Sequence, residues 1–330
     1  MQDVFAPTSS SADALVSPLH TITYVTASGD AVVTMLSDGF GLEQSAWISS
    51  DADRAGASYL GLPDSGSWRA CLCTRTDAAA NVAVRVIEVD SSEPVIRPET
   101  SGRHIGGLSI GFPMHDIDAR EAKLAALGVP SSVGRKDLDF QSPTGETYTS
   151  SEIHFIGPED VYLLGVKRPD GLTPVGPMPA GAPIGAPAYS ARCVTNADPV
   201  NRFFVEQLGF ECRRDMALTV GSPSGLKLEA GSVERFLQLF APGSGTGYLV
   251  LLDHGDIGVP SPAPTLGPPS RGVAMWTFAT HQYEVVRRRV TMTGCRITAE
   301  LSDHASPLLA SKRSFIVEDP DKFPVEIVEL

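Results

Sequence analysis

The stretch EDPDKFPVEIVEL, residues 318–330, sets an acidic turn in front of a short strand that carries two glutamates among apolar residues. Successive side chains of a strand point to opposite faces. Glu326 and Glu329 lie an odd number of residues apart, so at most one of them can look into a pocket. Which one does so, and what it meets there, depends on what the rest of the chain builds around this strand.

The chain repeats itself. HTITYVTASGDAVVTMLSDGFGLE (20–43) and YSARCVTNADPVNRFFVEQLGFE (189–211) each read as a strand, a small-and-acidic turn and an amphipathic helix. Asp30 and Asp198 stand near the helix starts, and Gly41 and Gly209 stand where helices stop. GSWRACLCTR (66–75) matches GSVERFLQLF (231–240), and the interval of 15 residues from Cys73 to Glu88 recurs from Gln238 to Asp253. A further pair follows, with GLSIGFPMHDIDAREAKLAALGV (107–129) beside GVAMWTFATHQYEVVRRRVTMTGC (272–295). FIGPEDVYLLGVK (155–167) matches IVEDPDKFPVEIVEL (316–330), aligned on Pro158 and Pro320. The sequence therefore predicts four units, each a strand, a helix and about three strands, in an α+β protein.

RPDGLTPVGPMPAGAPIGAP (168–187) has the composition of an extended, solvated linker and divides the chain into similar halves. The expected organisation is a flexible tail over 1–18, a two-module domain over 19–167, the linker, and a second two-module domain over 188–330. No apolar run is as long as a membrane span, and residues 1–18 lack the pattern of a secretory signal. With 39 acidic residues against 26 Lys plus Arg, the net charge of −13 repels phosphate backbones, which argues against nucleic acid as a partner. The five cysteines form no regular framework and read as thiols in a reducing cytoplasm. The expected partner is a small molecule, with neither nucleic acid nor membrane, and a homodimer is left open.

This arrangement resembles the vicinal oxygen chelate superfamily, which includes glyoxalase I, methylmalonyl-CoA epimerase, extradiol dioxygenases and bleomycin-resistance proteins. DPDKFPVE (319–326) is similar to that family's DPDG-x-x-x-E module ending, with Lys322 in place of the glycine. The resemblance implies four βαβββ modules forming two glyoxalase-like cupped-sheet domains. It also implies a divalent metal held by the first and last strands of the modules, with open positions for adjacent substrate oxygens. On the motif match Glu326 is the inward carboxylate and Glu329 faces out.

Carried across residue by residue, the ligand slots fall on His20 and Glu88 in the first module and on Gly107 and Leu164 in the second. In the third they fall on Tyr189 and Asp253, and in the fourth on Val273 and Glu326. Tyr and Val stand where an extradiol enzyme needs histidines, which argues against iron-dependent ring cleavage. His20 with Glu88 is the expected metal pair, for Zn, Fe, Mn or Ni, with His104 as a third candidate; a protein without metal is the alternative. Glu326, Tyr189 and Asp253 form the expected catalytic set, because two neighbouring carboxylates can serve as an acid/base pair. Trp68, Trp276, Phe236 and Tyr24 are expected on inner strands. Two readings of function follow. One is a glyoxalase-like lyase or isomerase acting on a small oxygenated or carbonyl metabolite; the other is a metal-free binding protein of the bleomycin-resistance type. An extradiol-type dioxygenase with a degenerate metal site is a further alternative.

Overall fold

The computed structural model describes residues 3–6, 14–49, 52–63, 67–77, 82–99, 102–142, 145–302 and 313–330. The first module runs β1 (Leu19–Thr26), α1 (Gly29–Thr34), two short strands β2 (Glu43–Gln44) and β3 (Ile48–Ser49), an inserted helix α2 (Arg54–Tyr59), then β4 (Arg69–Thr74) and β5 (Ala83–Glu88). The second contains β6 (Gly106–Pro113), α3 (Ile117–Ala126), β7 (Lys136–Gln141), β8 (Thr147–Ile156) and β9 (Tyr162–Lys167). The third contains β10 (Tyr189–Val194), α4 (Ala197–Arg202), β11 (Glu211–Thr219), β12 (Val233–Phe240) and β13 (Tyr248–Asp253). The fourth contains β14 (Gly272–Thr280), α5 (Tyr283–Met292), β15 (Ile297–Leu301), β16 (Ser314–Glu318) and β17 (Pro324–Glu329).

Local chemistry explains why modules one and three begin alike. The Glu88 carboxylate accepts from Gly29 N at 2.7 Å, and the Asp253 carboxylate accepts from Ala197 N at 2.8 Å. Each thus satisfies an amide at the first turn of its module's helix, where negative charge is favoured. Both helices widen into a π turn, Met35–Gly39 and Phe203–Gln207. The chain then leaves through Gly41 and Gly209, at φ 76° and 78°, a left-handed conformation that glycine adopts without steric cost.

The sheets are not assembled half by half. β1 pairs with β5 on one side and with β14 on the other, and β14 pairs with β17, so modules one and four share one curved sheet. β10 pairs with β13 and β6, and β6 pairs with β9, so modules two and three share the other. Each sheet therefore draws one module from residues 19–167 and one from residues 188–330. Side-chain alternation specifies the face of every strand but not its neighbour across a module edge, so the sequence left the pairing open. The two sheets meet where Val273 pairs with Gly107. A Cβ on Gly107 would lie 2.0 Å from the Val273 carbonyl oxygen, so only glycine fits there.

Residues 168–187 do not float as a solvated connector: Val175, Ile184 and Ala186 are buried, and Gly185 N donates to Pro113 O at 2.9 Å. The described part of the tail also packs, burying Val4, Phe5 and Val16, while Asp3 pairs with Arg168 at 2.9 Å. Residues 7–13 lie outside the described residues.

Candidate functional site

Each sheet curls round a concave face, and strand register allows the two to be compared position by position. In the first cup Thr21 on β1 faces Thr277 on β14, Thr277 faces Glu326 on β17, and Thr23 faces Arg85 on β5. The corresponding positions in the second cup are Tyr189 opposite Gly111, Gly111 beside Leu164, and Ala191 beside Val250.

Glu326 is fully buried in the first cup. Its Oε2 accepts from Arg85 Nη2 at 2.9 Å and from Thr277 Oγ1 at 2.6 Å. The guanidinium therefore occupies the space beside the carboxylate that a metal cation would take. Tyr59, at the end of α2, lies against the same carboxylate, and burial together with Glu326 pushes its phenol well above its ordinary pKa. The insertion between β3 and β4 thus brings the chain's own side chain over this concave face. Among the described residues, Glu326 Oε1, Arg85 Nε and Nη1, and Thr23 Oγ1 are buried without a hydrogen-bond partner.

The expected metal pair is not brought together. Thr21 pairs with Ala83 and Thr26 with Glu88, so His20 and Glu88 sit at opposite ends of β1 and β5, about six strand residues or roughly 20 Å apart. Glu88 is occupied as the cap of α1 and in a two-toothed contact with Arg69 at 2.9 and 3.0 Å. His20 sits at a register shift of β1 and bonds Thr21 Oγ1 through Nδ1 at 2.8 Å. Burial and then Arg85 lower its pKa, against a smaller opposing pull from Glu326. His104 precedes β6, in the other pair of modules, and its carbonyl accepts from Arg97.

The expected catalytic set is separated as well. Tyr189 and Asp253 stand at opposite ends of the paired strands β10 and β13, and Glu326 belongs to the other cup. Asp253 serves its helix cap and accepts from Gly255 N at 2.8 Å. Tyr189 stacks on Tyr248 with ring centroids 4.8 Å apart. Of the four aromatics expected on inner strands, Phe236 lines a cavity, whereas Trp276 donates to Ser190 Oγ at 2.9 Å and Tyr24 bonds the Pro158 carbonyl.

That cavity fills the second cup and measures about 340 Å³. Tyr189, Tyr248, Ala191, Val250 and Leu164 form its floor. At one end Arg214 donates to Gln238 Oε1 and to Tyr148 Oη, both at 3.0 Å, and Arg168 lies over the rings of Phe5 and Tyr148. At the other end Glu152 on β8 and Glu234 on β12 reach the cavity from opposite arms of the sheet. Glu152 lies 3.5 Å from His154 Nε2, and Glu234 lies 3.6 Å from Nδ1 of His254. Burial, and then the charge of Glu152, push the Glu234 carboxyl up to about 7. Burial lowers the pKa of His254, whose Nε2 lies 3.1 Å from the Gly102 carbonyl.

Sequence reasoning missed Glu152, His154 and Glu234. Their signal lay in the alternation of TYTSSEIHFI (147–156) and VERFLQLF (233–240), where polar residues share a face with Phe236 on strands of a cupped sheet.

Neither cup keeps the ligand set that the resemblance implies. The first offers Glu326 already paired with a guanidinium, and the second has Leu164 and Val250 in the places of Glu326 and Arg85. Among the described residues no group of three His, Cys, Asp or Glu side chains is placed to hold a metal ion. No helix among them is long and apolar enough to cross a membrane.

No family model matches the chain, and no curated protein matches it in sequence. Solved structures do match. Glyoxalase I from Zea mays aligns with TM-score 0.61 at 12% identity, covering 94% of this chain and 92% of that one. A protein from Bacillus subtilis subsp. subtilis str. 168, provisionally assigned as a dioxygenase, aligns with TM-score 0.56 at 13% identity, covering 95% and 85%. At these identities the likeness speaks to the fold alone, which this chain shares with both proteins over nearly its whole length.

Proposed function

We propose that this chain is a metal-free small-molecule-binding protein that takes its ligand in the cup of modules two and three. One observation carries the reading: the roomy cup has Leu164 and Val250 where the filled cup has Glu326 and Arg85. Cavities lined by apolar and aromatic side chains, with a few convergent polar groups, are the usual sites of small-molecule binding. The neutral fluorescent probe N-phenyl-1-naphthylamine tests it. The expected result is saturable binding of one probe per chain, lost in Ala191→Trp, which fills the floor, with the circular dichroism spectrum retained. Absence of saturable binding, or binding indifferent to Ala191→Trp, overturns the reading.

Glu234 favours a second reading. A carboxyl that titrates at about 7 is matched to general acid/base work near neutral pH, as in a lyase or isomerase acting on a small carbonyl compound. On that reading Glu234 exchanges a proton with the substrate and His254 orients its carboxyl. Solvent deuterium exchange into candidate carbonyl compounds, present with the protein and lost in Glu234→Gln, distinguishes it from binding alone.

A further inference from the structure

We propose that the ligand of the second cup is an organic cation: a protonated amine seated between Glu152 and Glu234, carried on an aromatic or otherwise apolar body. The inference rests on the binding reading above and adds the chemical class.

The two carboxylates come from equivalent strands of modules two and three, and they face one cavity from opposite arms. Their side chains are only 17% and 12% exposed, so both have given up most of their water. Among the described residues neither has a lysine or arginine nitrogen within 4 Å, although Lys136 lines the rim and pairs with Glu152 in register. The arginines that reach the cavity lie at its other end, where Arg214 is bonded to Gln238 and Tyr148, and Arg168 to Asp3.

His154 Nε2 lies 3.5 Å from Glu152, on its own strand, whereas His254 does not neutralise Glu234. The side chain of His254 is 1% exposed, its Nδ1 has no hydrogen-bond partner among the described residues, and it faces Glu234. Burial disfavours its charged form, as it does that of Glu234. Two buried carboxylates sharing one space with no lysine or arginine between them are costly, and a proton kept on Glu234 relieves that cost. A ligand ammonium would let both ionise and would donate charge-assisted N–H hydrogen bonds to their oxygens. The apolar body then has the floor of Tyr189, Tyr248, Ala191 and Val250 to cover.

The test uses three probes of one shape: 4-phenylbutylamine, 4-phenylbutanol and 4-phenylbutanoate, titrated into the full chain by calorimetry. The amine is expected to bind tighter than the alcohol by on the order of tenfold or more at about pH 8, as charge-assisted bonds require. The carboxylate is expected to bind weakest. Glu152→Gln and Glu234→Gln should each remove most of the amine's advantage, read as the ratio of amine to alcohol affinity. The amine stays protonated throughout, so its affinity should rise from about pH 6 to about pH 8 as Glu234 ionises, with proton release near the lower end. In Glu234→Gln that rise should vanish. Equal binding of amine and alcohol overturns the cation while the cup remains a binding site, as does preference for the carboxylate. Failure of all three probes to bind removes both readings together.

Discussion

Arg85 and Glu326, 241 residues apart in the chain, meet at 2.9 Å inside the first cup with 2% and 0% of their side chains exposed. One comes from module one and the other from module four, so the pair spans the β1–β14 seam that joins the two halves of the sequence. Breaking a buried ion pair leaves a charge with neither water nor partner. Arg85→Met should therefore destabilise the protein by about 3–5 kcal/mol, whereas Arg85→Met with Glu326→Leu should recover most of that loss. Urea unfolding of the two variants and the parent measures this. Equal loss in both would show that the pair supports the seam by its contacts rather than by its charges.

Glu234 gives the fold a pH dependence of unusual sign for a carboxylate. Its folded pKa of about 7 stands above the ordinary value of 4.5, so between those values the folded state holds a proton that the unfolded chain releases. Its contribution is fully present below the unfolded value and is lost as pH rises through about 7, amounting to roughly 3 kcal/mol. Glu234→Gln should remove this dependence and be more stable, relative to the parent, at pH 8 than at pH 4.5. Chemical denaturation across that range decides it, and identical pH profiles for variant and parent would count against it.

Lys322 takes the place of a glycine at the DPDK turn, and its φ is 65°. Its N–H donates to Asp319 O at 2.8 Å, while the Asp319 carboxylate accepts from the amides of Asp321 and Phe323, so the turn holds the residue in a left-handed conformation. A side chain there costs about 1 kcal/mol, and Lys322→Gly should return a comparable amount. A thermal midpoint that falls in the variant would show that the lysine contributes more than its backbone costs.

Gly111 lies directly under the Tyr189 ring, and a Cβ there would come within 2.0 Å of it. Gly111→Ala should force the ring off its stack with Tyr248 and cost about 1–3 kcal/mol by overpacking. In a Tyr189→Leu background the same change should cost much less. A double-mutant cycle of unfolding free energies reads the coupling, and simple additivity would rule out the contact as its cause.

Metal analysis gives the broadest check on the donor chemistry. The purified protein is expected to hold no stoichiometric Zn, Fe, Mn or Ni, and dialysis against a chelator should leave its unfolding midpoint unchanged. One equivalent of metal lost in Glu326→Ala would show that Arg85 yields its place to a cation.

Much of the architecture was legible because the chain repeats. The matched intervals ending at Glu88 and Asp253 reflect two carboxylates with one task, capping the helix that opens their module. The site was less legible for three physical reasons. The register shift that places His20 is a tertiary property of β1 against β14, invisible to a count of alternating residues. Glu88 looked like a ligand because a cap and a ligand need the same carboxylate at a strand end. Glu234 escaped notice because its perturbation comes from burial and from Glu152, which lies 82 positions away in the chain and across the cavity.

The pairing of modules gives the chain the order of nested brackets. Modules two and three are neighbours in sequence and join β6 to β10 over some 75 intervening residues, whereas β1 must find β14 over some 245. Closing the outer bracket first would enclose a long loose loop and sacrifice much chain entropy, while closing the inner one first shortens that loop to a folded body. Folding is therefore expected to proceed from the middle of the chain outward, with the ligand cup formed before the sheet that carries Glu326. The two ends would be the last to arrive. A cut anywhere in residues 168–187 would leave two fragments, each holding one strand set of both brackets, that need each other to fold.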